Sequence, residues 1–367
     1  MFPISKEYIN KRCGLHIDSY QQKNPENSEQ LGIINGNGKF TKCSPHKHIS
    51  REKYDEVIPK IIQEFLDAGP EKTIEFFMKP IDISKEYNDL EEDKVDVNEI
   101  TGKKTAKSNK IIRKYMPHIY EVEDHKGTSI HSRWTEEGIK DTFKRLDKPN
   151  YTVNSNFSEF IRWLKFNPVT IYSPIMAKSI ISELECKTVF DPCIGWGGRM
   201  IGTTCLGGDY HYTGCEPFTK TFQGLEKMVK DMNLKGQVKL YNKPVEDVLE
   251  DIQDKNFDMC LTSPPYFDLE VYSHEDSQSI KKYETYEEWI LQFLKPIINY
   301  VCSHVTKYSC WSVKNFKTKK QYNLLDDVIR LHEENGWKQI NDYSIKKVTH
   351  GDSSKDGDIT YIFGHLA

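Results

Sequence analysis

Ser263, Pro264, Pro265 and Tyr266 stand directly after the apolar run "FDMCLT" (257–262). Proline lacks a backbone donor and fixes φ, so a Pro-Pro pair cannot lie inside a sheet. The run is therefore expected to be a buried strand, and residues 263–266 a rigid elbow at its C-terminal end. In open α/β sheets that edge is where ligands bind. The elbow presents a hydroxyl, the Pro264 carbonyl and the Tyr266 ring to a cleft. Ser263 has no neighbouring Ser-His-Asp pattern, and Cys260 lies within the strand itself, so neither is expected to act as a nucleophile.

A second group of residues sits upstream. In "FDPCIGWGGRM" (190–200), Gly195 and Gly197 allow a loop backbone to approach a ligand closely at the junction of a strand and a helix. The spacing is neither the G-x-G-x-x-G of dinucleotide sites nor a P-loop, because no Gly-Lys-Ser/Thr follows. The next strand, ending "YTGCEPF", places Glu216 at its tip, 25 residues after Asp191. An acid there can accept both hydroxyls of a ribose. A third strand leads through "YNKPVEDVL" to Asp247, which can accept from an adenine amino group.

These residues need a frame. From residue 157 short apolar runs alternate with helical segments. "SPIMAKSIISELE" reads as a helix capped by Ser173 with Pro174 in its first turn, and "FSEFIRWLKF" as a helical patch. "KTVFDP", "YHYTGCEP", "VKLYNKP", "FDMCLTSPP" and "KYSCWSVKNF" read as strands. Helices fall between them, including a short one at "VEDVLEDI", and "WKQINDYSIKKV" and "DITYIFGHL" close the series without an intervening helix. The pattern predicts an α/β fold with a mostly parallel sheet and an antiparallel C-terminal edge. Before it, residues 1–156 form a mixed, mainly helical region. It has helices at 51–69 and at 134–148, the latter capped by Thr135, with a polar, charge-alternating stretch between them. The expected division is 1–156, a target-binding or accessory region, and 157–367, the catalytic domain.

Together these residues resemble the S-adenosylmethionine-dependent DNA amino methyltransferases, which act on exocyclic amines of nucleic-acid bases. "DPCIGWGG" is similar to their glycine-rich motif, Glu216 matches their acidic residue, and "TSPPYF" is similar to their catalytic motif. "VTIYSPIMAKSI" resembles the helix that covers the methionine end of the cofactor. The resemblance spans about residues 165–365 and implies a Rossmann-like methyltransferase fold. It implies S-adenosyl-L-methionine held by Ser173, Pro174, Asp191, Cys193, Gly195, Trp196, Gly197, Glu216 and Asp247. Catalysis would fall to Ser263, Pro264, Pro265 and Tyr266, with Phe267 helping to stack the base. Cys193 departs from the family, which usually has an aromatic there; Trp196 is the candidate to replace that contact. An exocyclic amine is a poor nucleophile because its lone pair is delocalised. Acceptance of its two N–H bonds by Ser263 and the Pro264 carbonyl lets the nitrogen pyramidalise toward the methyl group. The base must be flipped out or single-stranded. DNA is favoured over RNA as partner, and cytosine N4 over adenine N6, because serine at the first elbow position goes mostly with cytosine and its hydroxyl can donate to cytosine N3. A non-catalytic nucleic-acid-binding subunit is the alternative of another class.

Composition sets the limits. The chain has 367 residues, 37% hydrophobic and 12% aromatic, and a net charge of −4, so no global basic signature points to nucleic acid. No apolar run approaches the roughly 20 residues of a membrane span, and "MFPISKEYINKR" is too polar for a signal peptide. Nine cysteines, many in apolar runs, fit reduced core thiols and an intracellular setting. Cys13, Cys43, His46 and His48 lack paired Cys-x-x-Cys spacing, so no metal is expected. The basic run holding Lys103, Lys104, Lys107, Lys110, Arg113 and Lys114 follows an acidic block and reads first as solvated surface or linker, and second as a phosphate contact. The polar stretch 270–289 after the elbow reads as either a loop over the substrate or a connector.

Overall fold

The computed structural model describes residues 32–34, 40–42, 51–77, 81–94, 96–100, 102–146, 164, 169–252, 256–346 and 356–365. Contacts group the chain into two units, residues 1–80 with 120–168 and residues 81–119 with 169–367.

The second unit is built on a seven-stranded sheet. Its strands are β1 (Thr188–Asp191), β2 (His211–Cys215), β3 (Gln237–Tyr241), β4 (Phe257–Thr262), β5 (Val305–Ser312), β6 (Lys338–Lys346) and β7 (Asp356–Gly364). The order across the sheet is β6-β7-β5-β4-β1-β2-β3. Pairs β4–β1, β1–β2, β2–β3 and β4–β5 are parallel, whereas β7 runs antiparallel to both β5 and β6. The closing strand pair thus forms as expected, with the antiparallel strand inserted one place in from the edge. Strand order reverses between β1 and β4, which opens a crevice at their carboxyl ends. In β4, Phe257, Met259, Cys260 and Leu261 are all buried, as expected of a central parallel strand covered on both faces.

The longer helices of this unit are α1 (Ile83–Glu92), α2 (Gly102–Tyr115), α3 (Pro174–Glu183), α4 (Gly198–Thr204), α5 (Thr219–Asp231), α6 (Lys295–His304) and α7 (Leu324–Glu334). The short helix expected at 245–252 is instead two 3-10 turns, Val245–Asp247 and Glu250–Ile252. The helical segment between β4 and β5 is broken by a π segment, Ile290–Leu294, just ahead of Pro296 in α6. Pro296 has no N–H for the Gln292 carbonyl four residues back. The Tyr283 hydroxyl lies 3.3 Å from that carbonyl and shares its single proton between it and Glu246 Oε1.

The basic run is not a linker. α2 buries Ile111, Ile112 and Tyr115, with Met116 just beyond its end, and Lys110 pairs with Glu86 of α1 at 2.8 Å. A few apolar residues placed one helical turn apart among lysines are enough to seat it. The carboxyl end of α1 is held by Lys178 of α3, whose Nζ donates to the carbonyls of Leu90 (2.6 Å), Glu91 (2.8 Å) and Asp93 (2.8 Å). Seven cysteines in this unit are free thiols. Burial pushes Cys186, Cys205 and Cys302 up to about 12, and raises Cys193, Cys215, Cys260 and Cys310 further.

In the first unit a helix at Arg51–Phe77 kinks at Gly69, where φ is 76°, ahead of Pro70. Phe65 stacks on Trp134 at 5.9 Å and accepts the indole N–H on its carbonyl at 2.9 Å. Thr135 caps the helix Glu136–Leu146 through a 3.1 Å bond from Gly138 N–H, as the sequence implies. The helical patch expected at 157–166 and the Cys13, Cys43, His46 and His48 set lie outside the described residues, Leu164 excepted. Among the described residues no helix is long and apolar enough to cross a membrane.

Candidate active site

The carboxyl ends of β1, β2, β4 and β5 line one cleft, together with the turn after β3, the start of α3 and the segment that follows β4. At the end of β1 the chain turns on a buried ion pair. Asp191 is fully buried and accepts from Arg199 Nε (2.7 Å), Tyr212 OH (2.6 Å), Thr262 Oγ (2.9 Å) and its own loop through Cys193 N–H (3.2 Å). Asp191 was expected to touch a cofactor; its carboxylate is instead wholly engaged beneath the loop and does not line the cleft. Arg199, which no motif in the sequence marks, also donates to the carbonyls of Cys193 and Ile194 and so sets the loop's path.

The two glycines of the loop differ in role. Gly195 has φ 57° and open space where a Cβ would stand, so its backbone is bare toward the cleft. Gly197 has φ 84°, but a Cβ there would lie 2.7 Å from Leu225, so this glycine serves close packing at the start of α4 and does not line the cleft. Cys193 and Trp196 do line it. Trp196 lies beside Tyr272 (6.0 Å between ring centres) and His118 (5.5 Å), an aromatic wall where Cys193 offers none.

Glu216 leaves the tip of β2 and accepts from Gly195 N–H at 2.9 Å and Phe218 N–H at 2.8 Å. Burial pushes its carboxyl up to about 8, against the pull of those two N–H groups. After β3 the cleft is met by Glu246, not Asp247. Asp247 is half exposed and paired with Lys282 at 3.2 Å, which corrects the expectation for it. Glu246 Oε1 takes Lys282 (2.7 Å) and Tyr283 OH (3.0 Å), while its Oε2 is buried with no partner among the described residues. Ser173 precedes α3 but makes no side-chain cap; its Oγ is buried in the cleft wall, again without a partner. Pro174 begins α3 as expected, yet it packs inward and does not line the cleft.

The elbow after β4 has the expected shape. Ser263, Pro264, Pro265 and Tyr266 all line the cleft, and Ser263 Oγ donates to the Ser312 carbonyl of β5 at 3.0 Å. That bond commits the hydroxyl proton, so the oxygen is left as an acceptor. The donor role toward cytosine N3 expected of it is not available while the bond holds. Phe267 has φ 39°, a region costly for a side chain. It is held there by Tyr286 (5.7 Å), Trp289 (6.1 Å) and Tyr322 (5.7 Å) and is 8% exposed. Phe267, expected to help stack a substrate, does line the cleft, and it is also the buried anchor of the elbow.

The segment after the elbow is a strap over the cleft. Glu275 accepts from Thr219 N (3.0 Å) and Oγ (3.2 Å), and Ser277 donates to the Pro217 carbonyl at 3.2 Å. Gln278 is buried in the cleft wall, and its Nε2 has no partner among the described residues. Three buried polar atoms without partners among the described residues, from Ser173, Glu246 and Gln278, therefore line one space. Such groups are rare in a folded protein unless a ligand or water meets them.

No family model matches the sequence, and no curated protein matches it. Solved structures do show similarity. A magnesium protoporphyrin IX methyltransferase from Synechocystis with bound SAM has 10% identity and a TM-score of 0.34 over 53% of this chain and 79% of its own. A putative RNA methyltransferase from Pyrococcus horikoshii has 16% identity and a TM-score of 0.32 over 53% and 82%. A SAM-dependent methyltransferase from Agrobacterium tumefaciens has 9% identity and a TM-score of 0.38 over 54% and 63%. The sheet order is that of a doubly wound α/β fold, with one antiparallel strand inserted next to the edge.

Proposed function

We propose that the protein is an S-adenosylmethionine-dependent methyltransferase acting on an exocyclic amine of a nucleic-acid base. The observation that carries this reading is the Ser263–Ser312 bond, which turns the first residue of a Pro-Pro elbow into a fixed acceptor beside the Pro264 carbonyl.

The cleft fits the cofactor. Glu216 would accept the ribose hydroxyls, and Glu246 Oε2 would accept the adenine amino group. The open backbone at Gly195 admits close approach, and Ser173 Oγ and Gln278 Nε2 offer polar contacts. When bound, S-adenosylmethionine supplies an electrophilic methyl group on a positively charged sulfur. The chain's own part is to orient and to stabilise charge. Ser263 Oγ and the Pro264 carbonyl accept the two amine N–H bonds, so the nitrogen lone pair turns out of conjugation. They also stabilise the positive charge that grows on nitrogen as the N–C bond forms. The cofactor would give up its methyl group and keep the bonding electron pair on its sulfur, and the amine proton would leave to water. Tyr266 holds the base by stacking, and the rigid prolines fix the acceptors before the reaction begins.

DNA is the favoured substrate and cytosine N4 the favoured position. With the Ser263 proton committed to Ser312, support for cytosine comes from the sequence resemblance alone. The test is transfer of labelled methyl groups to DNA and to RNA, followed by mass spectrometry of the nucleosides. N4-methylcytosine in DNA is expected. N6-methyladenine alone overturns the base, label in RNA alone overturns the nucleic acid, and no transfer by a folded protein that binds the cofactor favours a non-catalytic binding subunit.

A further inference from the structure

The hairpin that follows β5 has two unlike faces. Its cross-strand partners are Phe316 with Tyr322 and Lys317 with Gln321. Directly opposed residues of an antiparallel ribbon share a face, and successive residues alternate. Phe316 and Tyr322 are buried, stack at 4.9 Å and seat the hairpin on the elbow, where Phe316 meets the Tyr266 ring edge-on at 5.3 Å. The other face carries exposed Lys317, and the turn carries exposed Lys319 and Lys320.

Lys314, on the strand side of the hairpin, is exposed and borders the cleft itself. From Ser312 to Asn323 there are four lysines and no acid. Two carboxylates hydrogen-bond to neutral donors of this same segment and to none of its lysines. Asp268 accepts from Thr318 Oγ (3.0 Å) and Tyr322 OH (3.2 Å), and Asp326 from Asn315 (3.3 Å). Among the described residues none of the four lysines forms an ion pair. In a chain of net charge −4, this run of cations is held against the ring expected to stack the target base.

We propose that the 316–322 hairpin is a phosphate ledge, and that Lys317, Lys319 and Lys320 bind the backbone of the nucleic-acid strand on either side of the base held at Tyr266. The inference rests on the nucleic-acid reading above and adds the surface on which the strand lies. The ledge binds without reading sequence, because lysine contacts to phosphate position a strand and do not specify bases. The hairpin's inner aromatic face transmits that position to the elbow, since the same two rings contact Tyr266 and Phe267.

The experiment is a salt titration of oligonucleotide binding, read by fluorescence anisotropy with labelled single-stranded DNA and the same sequence as RNA. Wild type is compared with the triple variant Lys317→Ala, Lys319→Ala, Lys320→Ala, and with a control, Lys227→Ala, Lys230→Ala, on α5. Each phosphate contact on a single strand contributes about 0.7 to the slope of log K against log salt, so the triple variant should lose about 2 from it. Its affinity at about 0.1 M salt should fall at least tenfold, with unchanged cofactor affinity by calorimetry and an unchanged melting temperature. The control should keep the wild-type slope. An unchanged slope in the folded triple variant, or an equal loss in the control, overturns the ledge and leaves methyl transfer standing. A wild-type protein that binds cofactor but neither oligonucleotide overturns the nucleic-acid reading, and the ledge with it.

Discussion

Arg199 Nε meets Asp191 Oδ2 at 2.7 Å with both side chains almost wholly withdrawn from solvent, the guanidinium 4% and the carboxylate 0% exposed. Removing one partner of such a pair leaves the other charge buried alone, which costs about 3–5 kcal/mol. Arg199→Leu should lower stability by that order in denaturant unfolding. The double variant with Asp191→Asn should recover part of the loss. Additive losses in the double variant would show that the two residues act separately.

Glu216 links pH to both stability and ligand. The folded chain binds this proton more tightly than an ordinary carboxyl at 4.5, because burial raises it to about 8. Its contribution is therefore most favourable below the lower value. It declines as pH rises across the window, and above about 8 the loss is complete. Glu216→Gln should flatten that part of the stability profile. Ribose hydroxyls donating to this group favour the carboxylate, so cofactor binding near pH 7 should release protons. Calorimetry in buffers of different ionisation enthalpy measures the release, and proton uptake would contradict it.

Glu246 and Asp247 are neighbours with separable roles. Glu246 Oε2 is buried in the cleft wall, whereas Asp247 faces out toward Lys282. Glu246→Ala removes a charged acceptor and should weaken cofactor binding by about 1.5–3 kcal/mol, while Asp247→Ala should leave it unchanged. Equal effects in a titration of the two variants would refute the assignment.

Tyr266 and Phe267 divide in the same way. Tyr266→Ala should cost roughly 1–3 kcal/mol in oligonucleotide affinity through lost base stacking, with cofactor affinity kept. Phe267→Ala should instead lower stability by about 3–5 kcal/mol, since the ring is packed among Tyr286, Trp289 and Tyr322. Thermal melts and binding curves on the same samples separate the two effects.

The strands of the sheet were legible because apolar runs bounded by Gly and Pro are local signals, and Pro264-Pro265 marks the end of β4 without reference to anything else. The pairing order was only partly legible, since the insertion of β7 between β5 and β6 depends on residues far apart in the chain. α2 escaped notice because six basic side chains mask the short apolar stripe of Ile111, Ile112 and Tyr115. Asp191 and Asp247 were misplaced for one reason: a sequence shows that a carboxylate stands at a strand end, but not which cation reaches it first. Arg199 could have been found as the one cation at the opening of the helix after the glycine loop, eight residues beyond an aspartate. The orphaned Gln278 could not, because only the tethers of Glu275 and Ser277 bring it to the cleft.

The cysteines give the sheet a built-in clock. Only a thiolate reacts quickly with an alkylating reagent, and burial keeps the seven thiols of the sheet unit protonated at neutral pH. The five fully buried ones can be trapped only when their surroundings part. Cys260 in β4 and Cys310 in β5 thus report the rare separation of the central strands, while Cys193, half-buried at the cleft, reports the breathing of the glycine loop. Chemical labelling over time, read thiol by thiol, would rank the parts of this fold by how often they come undone.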